Sequence, residues 1–363
     1  MKIGIDASRA FLKNRTGIEE YSYQIIKHLR NELDARQYQV VLYLRRGQEI
    51  DFKLPQNWTI KIIQWPRFWT QIGLSLEMLL NPVDTLLIPA HTVPIMHPRN
   101  TIVVVHGLEY EFCPQAYSRL ARIYMRWTIK KSCKWASKII SVSENTKKDL
   151  IRLYKVRAEK IFVIYEGYAQ ESRIMNQESR EISKFMIHDS RFIAFIGRVE
   201  QRKNISKVVE AFELLKEKYE TEHRLVLAGR PGYGYENIKF QISNSKFCDD
   251  IIELGYIGEE EKWELLKNAD AFLFPTLYEG FGIPILEAQS VGCPVIASGN
   301  SSIPEVAGKS ALLVDPDSAE EIAENIHELL SNNDFKNAII QKGLENVKRF
   351  SWEKCAREIG LLF

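Results

Sequence analysis

The chain has 363 residues, 45% of them hydrophobic and 26% charged, enough apolar mass for about two buried cores, which excludes a peptide hormone, a lone binding module and a disordered chain. Its five cysteines (Cys113, Cys133, Cys248, Cys293 and Cys355) are odd in number and contain no CxxC pair, so a reducing compartment is expected rather than a disulfide framework or a zinc site. The formal net charge of +2 conceals an asymmetry, because residues 1–170 hold 26 Lys and Arg against 15 Asp and Glu while the remainder holds 23 against 32; an anionic partner is expected for the first half.

The opening Met1-Lys2-Ile3-Gly4-Ile5-Asp6 reads as a strand rather than a secretory leader, and no window approaches the roughly 18 uninterrupted apolar residues of a membrane span, so a cytoplasmic protein is expected. Beyond this run at 2–5, short β-branched runs follow at 40–44, 60–64, 85–88, 102–105, 138–142 and 161–165, with helical periodicity between several of them. A polar, strand-poor stretch over 170–190 interrupts this rhythm. It restarts with apolar runs at 192–196, 224–228, 251–254, 271–274, 294–297 and 311–314. Strands alternating with helices predict an α/β protein of two helix-covered parallel sheets. The expected division is a domain over 1–169, a second over 170–350, and a Ser351-capped helix over 351–363 that returns to the first domain. Open α/β sheets bind ligands at the carboxyl ends of their strands, so a cleft shared by the two domains is the expected seat of chemistry.

The first loop runs from Asp6-Ala7-Ser8-Arg9 to Thr16-Gly17-Ile18-Glu19 at a helix start, a glycine-bearing turn able to approach a phosphate. His91 and His106 each come just after an apolar run, which places an imidazole at a strand's carboxyl end. No acid lies between Glu111 and Glu144, and Arg119, Arg122, Arg126, Lys130 and Lys134 step by three or four residues along one helix face, with Leu120, Ile123, Tyr124 and Trp127 alongside. Such a stripe suits anionic lipid headgroups or a lipid diphosphate acceptor. It lacks the strand-borne aromatics of an RNA or single-strand binder, and no nucleic acid is expected.

In the second half, Gly197-Arg198-Val199-Glu200-Gln201-Arg202-Lys203-Asn204 follows a buried run and offers Arg198, Arg202 and Lys203 to a diphosphate. Gly229-Arg230-Pro231-Gly232 and Gly255-Tyr256-Ile257 close two later strands as glycine turns. The most informative stretch is Glu279-Gly280-Phe281-Gly282-Ile283-Pro284-Ile285-Leu286-Glu287. Its glycines admit close backbone approach, the N–H groups near Phe281, Gly282 and Ile283 sit at the positive end of a helix, and Glu279 and Glu287 place two carboxylates over one ligand. Asp315-Pro316-Asp317 spells a metal-binding D-x-D, but Asp317-Ser318-Ala319-Glu320 reads as a helix start with a capping box; no metal and no other cofactor is expected.

The run E-G-F-G-I-P-I-L-E, its glutamates separated by seven residues, and the run G-R-V-E-Q-R-K-N together resemble the signatures of the retaining glycosyltransferases of family 4, which are built on two facing Rossmann-like domains, the GT-B fold. The resemblance spans nearly the whole chain and implies a hexosyltransferase whose first domain holds the acceptor and whose second holds a nucleotide sugar. It implies that Glu279 contacts the donor sugar, Glu287 the ribose, and Arg198 and Lys203, with Arg202 beside them, the leaving diphosphate. Gly17 then lies near the donor phosphate, Tyr256 and Ile257 at the base, and Gly229 in the same cleft. His106 lies near the transferring sugar. Where the family often has His-Asp this chain has His106-Gly107, and Glu109 is the candidate for the missing carboxylate. The implied donor is a UDP-hexose, UDP-glucose first and GDP-mannose next. The implied acceptor is a saccharide or lipid-linked saccharide at the inner membrane face, in polysaccharide assembly. A catalytically silent sugar-nucleotide-binding protein and a sugar-nucleotide epimerase are the alternatives. A dehydrogenase is disfavoured, since no GxGxxG follows the first strand.

Overall fold

Parallel strands inside an α/β sheet are covered on both faces and so are short and largely apolar; each of the thirteen runs picked out above forms a parallel strand with ends within two residues of the expected ones, the edge strand at 58–63 being mostly exposed. The computed structural model describes residues 1–13, 15–169 and 191–363; the polar stretch over 170–190 lies outside the described residues. The chain forms two units. The first comprises Met1–Leu108, Arg119–Gly167 and Phe350–Phe363, the second Glu109–Ser118 and Tyr168–Arg349.

In chain order the first unit runs β1 (Lys2–Asp6), α1 (Gly17–Asp34), β2 (Gln39–Arg45), β3 (Trp58–Ile63), α2 (Ser75–Leu80), β4 (Thr85–Ile88) and β5 (Asn100–Val105). The chain then makes α3 (Glu109–Phe112) within the second unit and returns for α4 (Arg119–Trp135), β6 (Lys138–Ser141), α5 (Glu144–Tyr154) and β7 (Ile161–Val163). The seven strands pair in the order β3-β2-β1-β4-β5-β6-β7, all parallel. Right-handed crossovers running in opposite directions from β1 put α1 on one face and α2, α4 and α5 on the other.

The second unit runs β8 (Phe192–Ile196), α6 (Ile205–Tyr219), β9 (Arg224–Ala228), α7 (Tyr235–Ser243), β10 (Ile251–Gly255), α8 (Glu259–Asn268), β11 (Ala271–Phe274), α9 (Ile283–Ser290), β12 (Val295–Ser298), α10 (Ile303–Ala307), β13 (Leu312–Val314), α11 (Ala319–Ser331) and α12 (Asn333–Asn346). Its six parallel strands lie in the order β10-β9-β8-β11-β12-β13. Phe195, Phe212, Phe272 and Phe274 fill its core.

The chain ends with α13 (Trp352–Gly360), capped by Ser351, whose Oγ accepts the Lys354 N–H at 3.1 Å. It belongs to the first unit, against α1: Trp352 meets Tyr21 edge-on at 5.7 Å between centroids, and the Arg36 guanidinium donates to the Gly360 carbonyl at 2.7 Å. Gly167 is where the chain crosses this helix, and a Cβ there would sit 2.3 Å from the Trp352 nitrogen.

Two local readings change. The segment 109–118, read from the sequence as part of the first domain, groups with the second unit, where Phe112 stacks on Tyr278 at 4.5 Å and 10°. The helix after Asp315 is capped by Ser318, not Asp317: Ser318 Oγ accepts the Glu321 N–H at 3.1 Å, while Asp315 Oδ1 accepts the Asp317 N–H at 2.9 Å. Asp317 therefore sits in a turn one residue ahead of the cap. Among the described residues no three His, Cys, Asp or Glu side chains are grouped to hold a metal ion, and no helix is long and apolar enough to cross a membrane.

Candidate active site

The loop after β8 carries Arg198, Arg202 and Lys203, and the loop after the adjacent β11 carries Glu279, so strand order alone brings these charges to one sheet end. Lys203 Nζ donates to Glu279 Oε1 at 2.6 Å and Arg202 to the same oxygen at 3.1 Å. Arg202 further donates to the Tyr278 carbonyl at 3.0 Å and to Glu200 Oε1 at 3.0 Å. Burial by itself would raise the Glu279 carboxyl, but the charges of Lys203 and Arg202 outweigh it and hold the group below the usual carboxylate range. Burial also pulls the Lys203 ammonium below its ordinary value against the attraction of Glu279. Arg202 is opposite in sign: burial would lower it, yet Glu279, Glu109 and Glu200 together raise it. Arg198 differs from both, being exposed and without a side-chain partner among the described residues.

Neighbouring loops fix this cluster. Asn204, buried and in a left-handed conformation, donates to the carbonyls of Pro275 at 3.0 Å and Pro316 at 2.6 Å. Ser301 Oγ accepts the Glu279 N–H at 3.1 Å, and Ser302 Oγ donates to the Glu279 and Phe281 carbonyls at 3.0 and 2.7 Å. The Phe281 ring is buried, so only its backbone is available to a ligand. Gly282 begins α9 at φ 119°, a left-handed conformation that favours glycine. Ile283, half-buried, and Pro284 form the first turn of that helix.

Glu287, one turn before the end of α9, has a cation of its own. Lys262 Nζ donates to Glu287 Oε1 at 2.7 Å and also pairs with Glu259 at 2.8 Å. Burial would lower the Lys262 ammonium, and the two carboxylates outweigh it to raise it. On the other side of β8, Gly229 packs so closely that a Cβ would stand 1.7 Å from the Gly197 carbonyl. Tyr256 is exposed beyond β10 with the Arg230 guanidinium 4.3 Å from its ring centroid, and Ile257 is half-buried beside it.

In the first unit His106 follows β5 and is buried with both ring nitrogens engaged: Nδ1 lies 3.0 Å from Glu166 Oε1 and Nε2 2.8 Å from the Pro89 carbonyl. Tyr21 meets the ring edge-on at 4.5 Å. The carboxylate bonded to His106 is thus Glu166; the chain enters α3 directly after Leu108, and Glu109 groups with the second unit, where its charge acts on Arg202. His91 lies 6.4 Å from His106 between ring centroids, and burial, followed by His106 and Arg9, pushes its imidazole down to about 3. Gly17 opens α1 in open space, where a Cβ would meet nothing within 4 Å, so packing does not require a glycine there.

On α4, Leu120 and Ile123 are 81% and 63% exposed, and with Tyr124 and Trp127 they recur every three or four residues opposite the buried Thr128, Ile129 and Ser132. Arg119, Arg122, Arg126, Lys130 and Lys134 flank this ridge. Four participants carried no legible signal: Glu166, Ser301, Ser302, and Lys262, whose setting Glu259-Glu260-Glu261-Lys262 reads as solvated charge.

The family model of "Glycosyltransferase Family 4" matches residues 17–171, and that of "Glycosyl transferases group 1" matches residues 177–346. The chain is 29% identical to the O-antigen chain mannosyltransferase B of Escherichia coli, over 71% of this chain and 68% of that protein. It is 27% identical to the O-antigen chain mannosyltransferase RfbU of Salmonella typhimurium, over 71% and 69% of the two chains. Among solved structures, the sucrose-phosphate synthase of Thermosynechococcus elongatus superposes with a TM-score of 0.74 at 18% identity, over 99% of this chain and 98% of the other. The two α/β sheets thus have the GT-B fold, and the chain belongs to family 4 of the glycosyltransferases, as an enzyme of that class.

Proposed function

We propose that the protein transfers a mannosyl residue from GDP-mannose, with retention of anomeric configuration, to a saccharide or lipid-linked saccharide during assembly of a cell-surface polysaccharide. UDP-glucose, first among the donors on the sequence, moves to second, because relatives at 29% and 27% identity, each matched over about 70% of both chains, are named as mannosyltransferases. The observation that carries the reading is the Lys203–Glu279 contact beside an unpaired Arg198. Arg202 gives three of its five N–H donors to Glu279, Glu200 and a carbonyl, which fix its plane, and we assign it to positioning rather than to the donor. Lys203 has three donors and gives one to Glu279, so it retains capacity for a phosphate. Arg198 and Lys203 then offset the charge that builds up on the leaving diphosphate, where such contacts act most strongly on rate.

In this reading Glu279 orients the sugar and Glu287 the ribose. Gly229, the Phe281–Ile283 backbone, Tyr256 and Ile257 line the donor, with Gly17 near its phosphate. No metal takes part, and the same-face, internal-return mechanism needs no carboxylate nucleophile. His106 supports the reacting sugar from a ring whose nitrogens are already engaged, which suits an orienting group better than a proton acceptor. The α4 ridge, with Leu120, Ile123, Tyr124 and Trp127 exposed beside its basic residues, supports contact with the inner membrane face.

The test is a panel of GDP-mannose and UDP-glucose without added metal, read by thermal shift and by nucleoside diphosphate release. GDP-mannose is expected to raise the Tm by mass action and UDP-glucose to do so weakly. Stabilisation by UDP-glucose alone would sink the donor assignment, and isomerised free donor without acceptor would mark an epimerase.

A further inference from the structure

At the other end of the first sheet, away from the strand carboxyl ends, lies a cleft of about 450 Å³. It is lined by Lys130 and Lys134 near the end of α4, Tyr154 at the end of α5, and Lys155, Arg157 and Lys160 of the loop into β7. Both helices end here and β6 and β7 begin here, whereas His106 follows the carboxyl end of β5. Five cations converge on this cleft, and no carboxylate lines it.

Part of that charge has an internal use. Lys160 Nζ donates to the Ala136 carbonyl at 2.7 Å and closes the end of α4. Lys130 Nζ stands 4.9 Å from the Tyr154 ring centroid, and Arg157 pairs with Glu159 at 3.3 Å, both of these largely exposed. Lys134 and Lys155 are exposed and have no side-chain partner among the described residues. The two helix C-termini contribute only partial negative charge, confined to their last turns. Like charges held together in a concave surface repel one another, and the same concavity focuses their field on an anion from outside. Ammonium groups around a guanidinium fork match the oxygens of a phosphate.

We propose that this cleft is a second anion site that takes a phosphate-bearing ligand, supplied by a lipid headgroup or by a free phosphate compound. It shares Lys130 and Lys134 with the α4 stripe but does not require α4 to face a bilayer. Lys155 and Arg157 lie outside the stripe, so substituting them separates failure of this site from failure of the membrane reading.

The probe is inorganic pyrophosphate, titrated calorimetrically into the full chain at low salt. Lys155→Gln with Arg157→Gln is expected to weaken binding about tenfold or more, since two charge-assisted contacts are lost. Arg198→Ala, which addresses the donor loop, is expected to leave this binding component in place. Both substituted side chains are exposed, so the thermal midpoint is expected to hold, and each single variant provides the same comparison on its own. Vesicles of phosphatidylcholine, with and without phosphatidic acid, identify the source. If the double variant lowers sedimentation with the acidic vesicles while Arg119→Ala/Arg122→Ala retains the pyrophosphate component, the ligand is a lipid headgroup. If vesicle binding persists and pyrophosphate binding is lost, it is a free phosphate. Pyrophosphate binding that the double variant leaves unchanged, or that Arg198→Ala removes entirely, overturns the proposal.

Discussion

The second unit draws its candidate site charges from two short stretches, 198–203 and 279–287, pairing Glu279 with Lys203 and Arg202 and leaving Arg198 exposed, while Glu287 of α9 pairs with Lys262 of α8. The first unit does the reverse. Its buried histidine is held by Glu166, 60 residues away in sequence, and by a backbone carbonyl. The second arrangement depends on charge and tolerates small displacements, because Coulomb attraction falls slowly with distance. The first depends on hydrogen-bond geometry, which fails over a few tenths of an ångström. The two sets of contacts are thus exposed to different kinds of mutation.

The largest expected effect breaks the charged side. Lys203→Ala leaves Glu279 paired with Arg202, so the fold is expected to persist by circular dichroism while turnover falls about 100- to 1,000-fold. An undiminished rate would remove Lys203 from the mechanism. The geometric side is broken by Glu166→Gln, which keeps the shape at His106 but removes the charge. Turnover is expected to fall about tenfold with little change in donor KM. A lower Tm with unchanged turnover would return the pair to a structural role.

The smallest effect supplies a contrast within the second unit. At the amino ends of β9 and β11, Asp270 pairs with Lys336 at 2.6 Å and His223 at 3.3 Å, an ion cluster with no functional assignment. The His223 hydrogen bond, working against burial and helped by Lys336, brings the Asp270 carboxyl down to about 2. A depressed carboxyl contributes stability above its unfolded value, and that contribution is lost as pH falls through the folded one. Denaturant unfolding of Asp270→Asn is therefore expected to show a deficit that is full at about pH 5 and shrinks to nothing near about pH 2, with turnover unchanged. A deficit independent of pH would show that packing, not charge, is what Asp270 supplies.

The strands are legible because a parallel strand is apolar at most positions, and the glutamate pair is legible because eight positions fix both residues on one loop and helix. Pro294 marks where this fails: apolar enough to read as strand, it precedes β12 (Val295–Ser298) because it lacks an N–H, although its carbonyl still accepts from Phe272 at 2.8 Å. Lys262 and Glu166 escaped notice because their partners come from other elements, and no local period encodes such a meeting. The turn after Leu108 takes Glu109, three residues past His106 in sequence, into the group of the second unit, a placement that no local pattern encodes.

That turn has a consequence for how such enzymes diversify. Because 109–118 sits in the unit that otherwise spans 168–349, with Phe112 lying flat on the ring beside Glu279, exchanging that unit between relatives takes more than a single crossover near residue 168. A chimera joined only there would inherit a stacking partner from one parent and its surface from the other. Recombination that exchanges the second unit has to carry this ten-residue outlier along, or let it co-evolve in place.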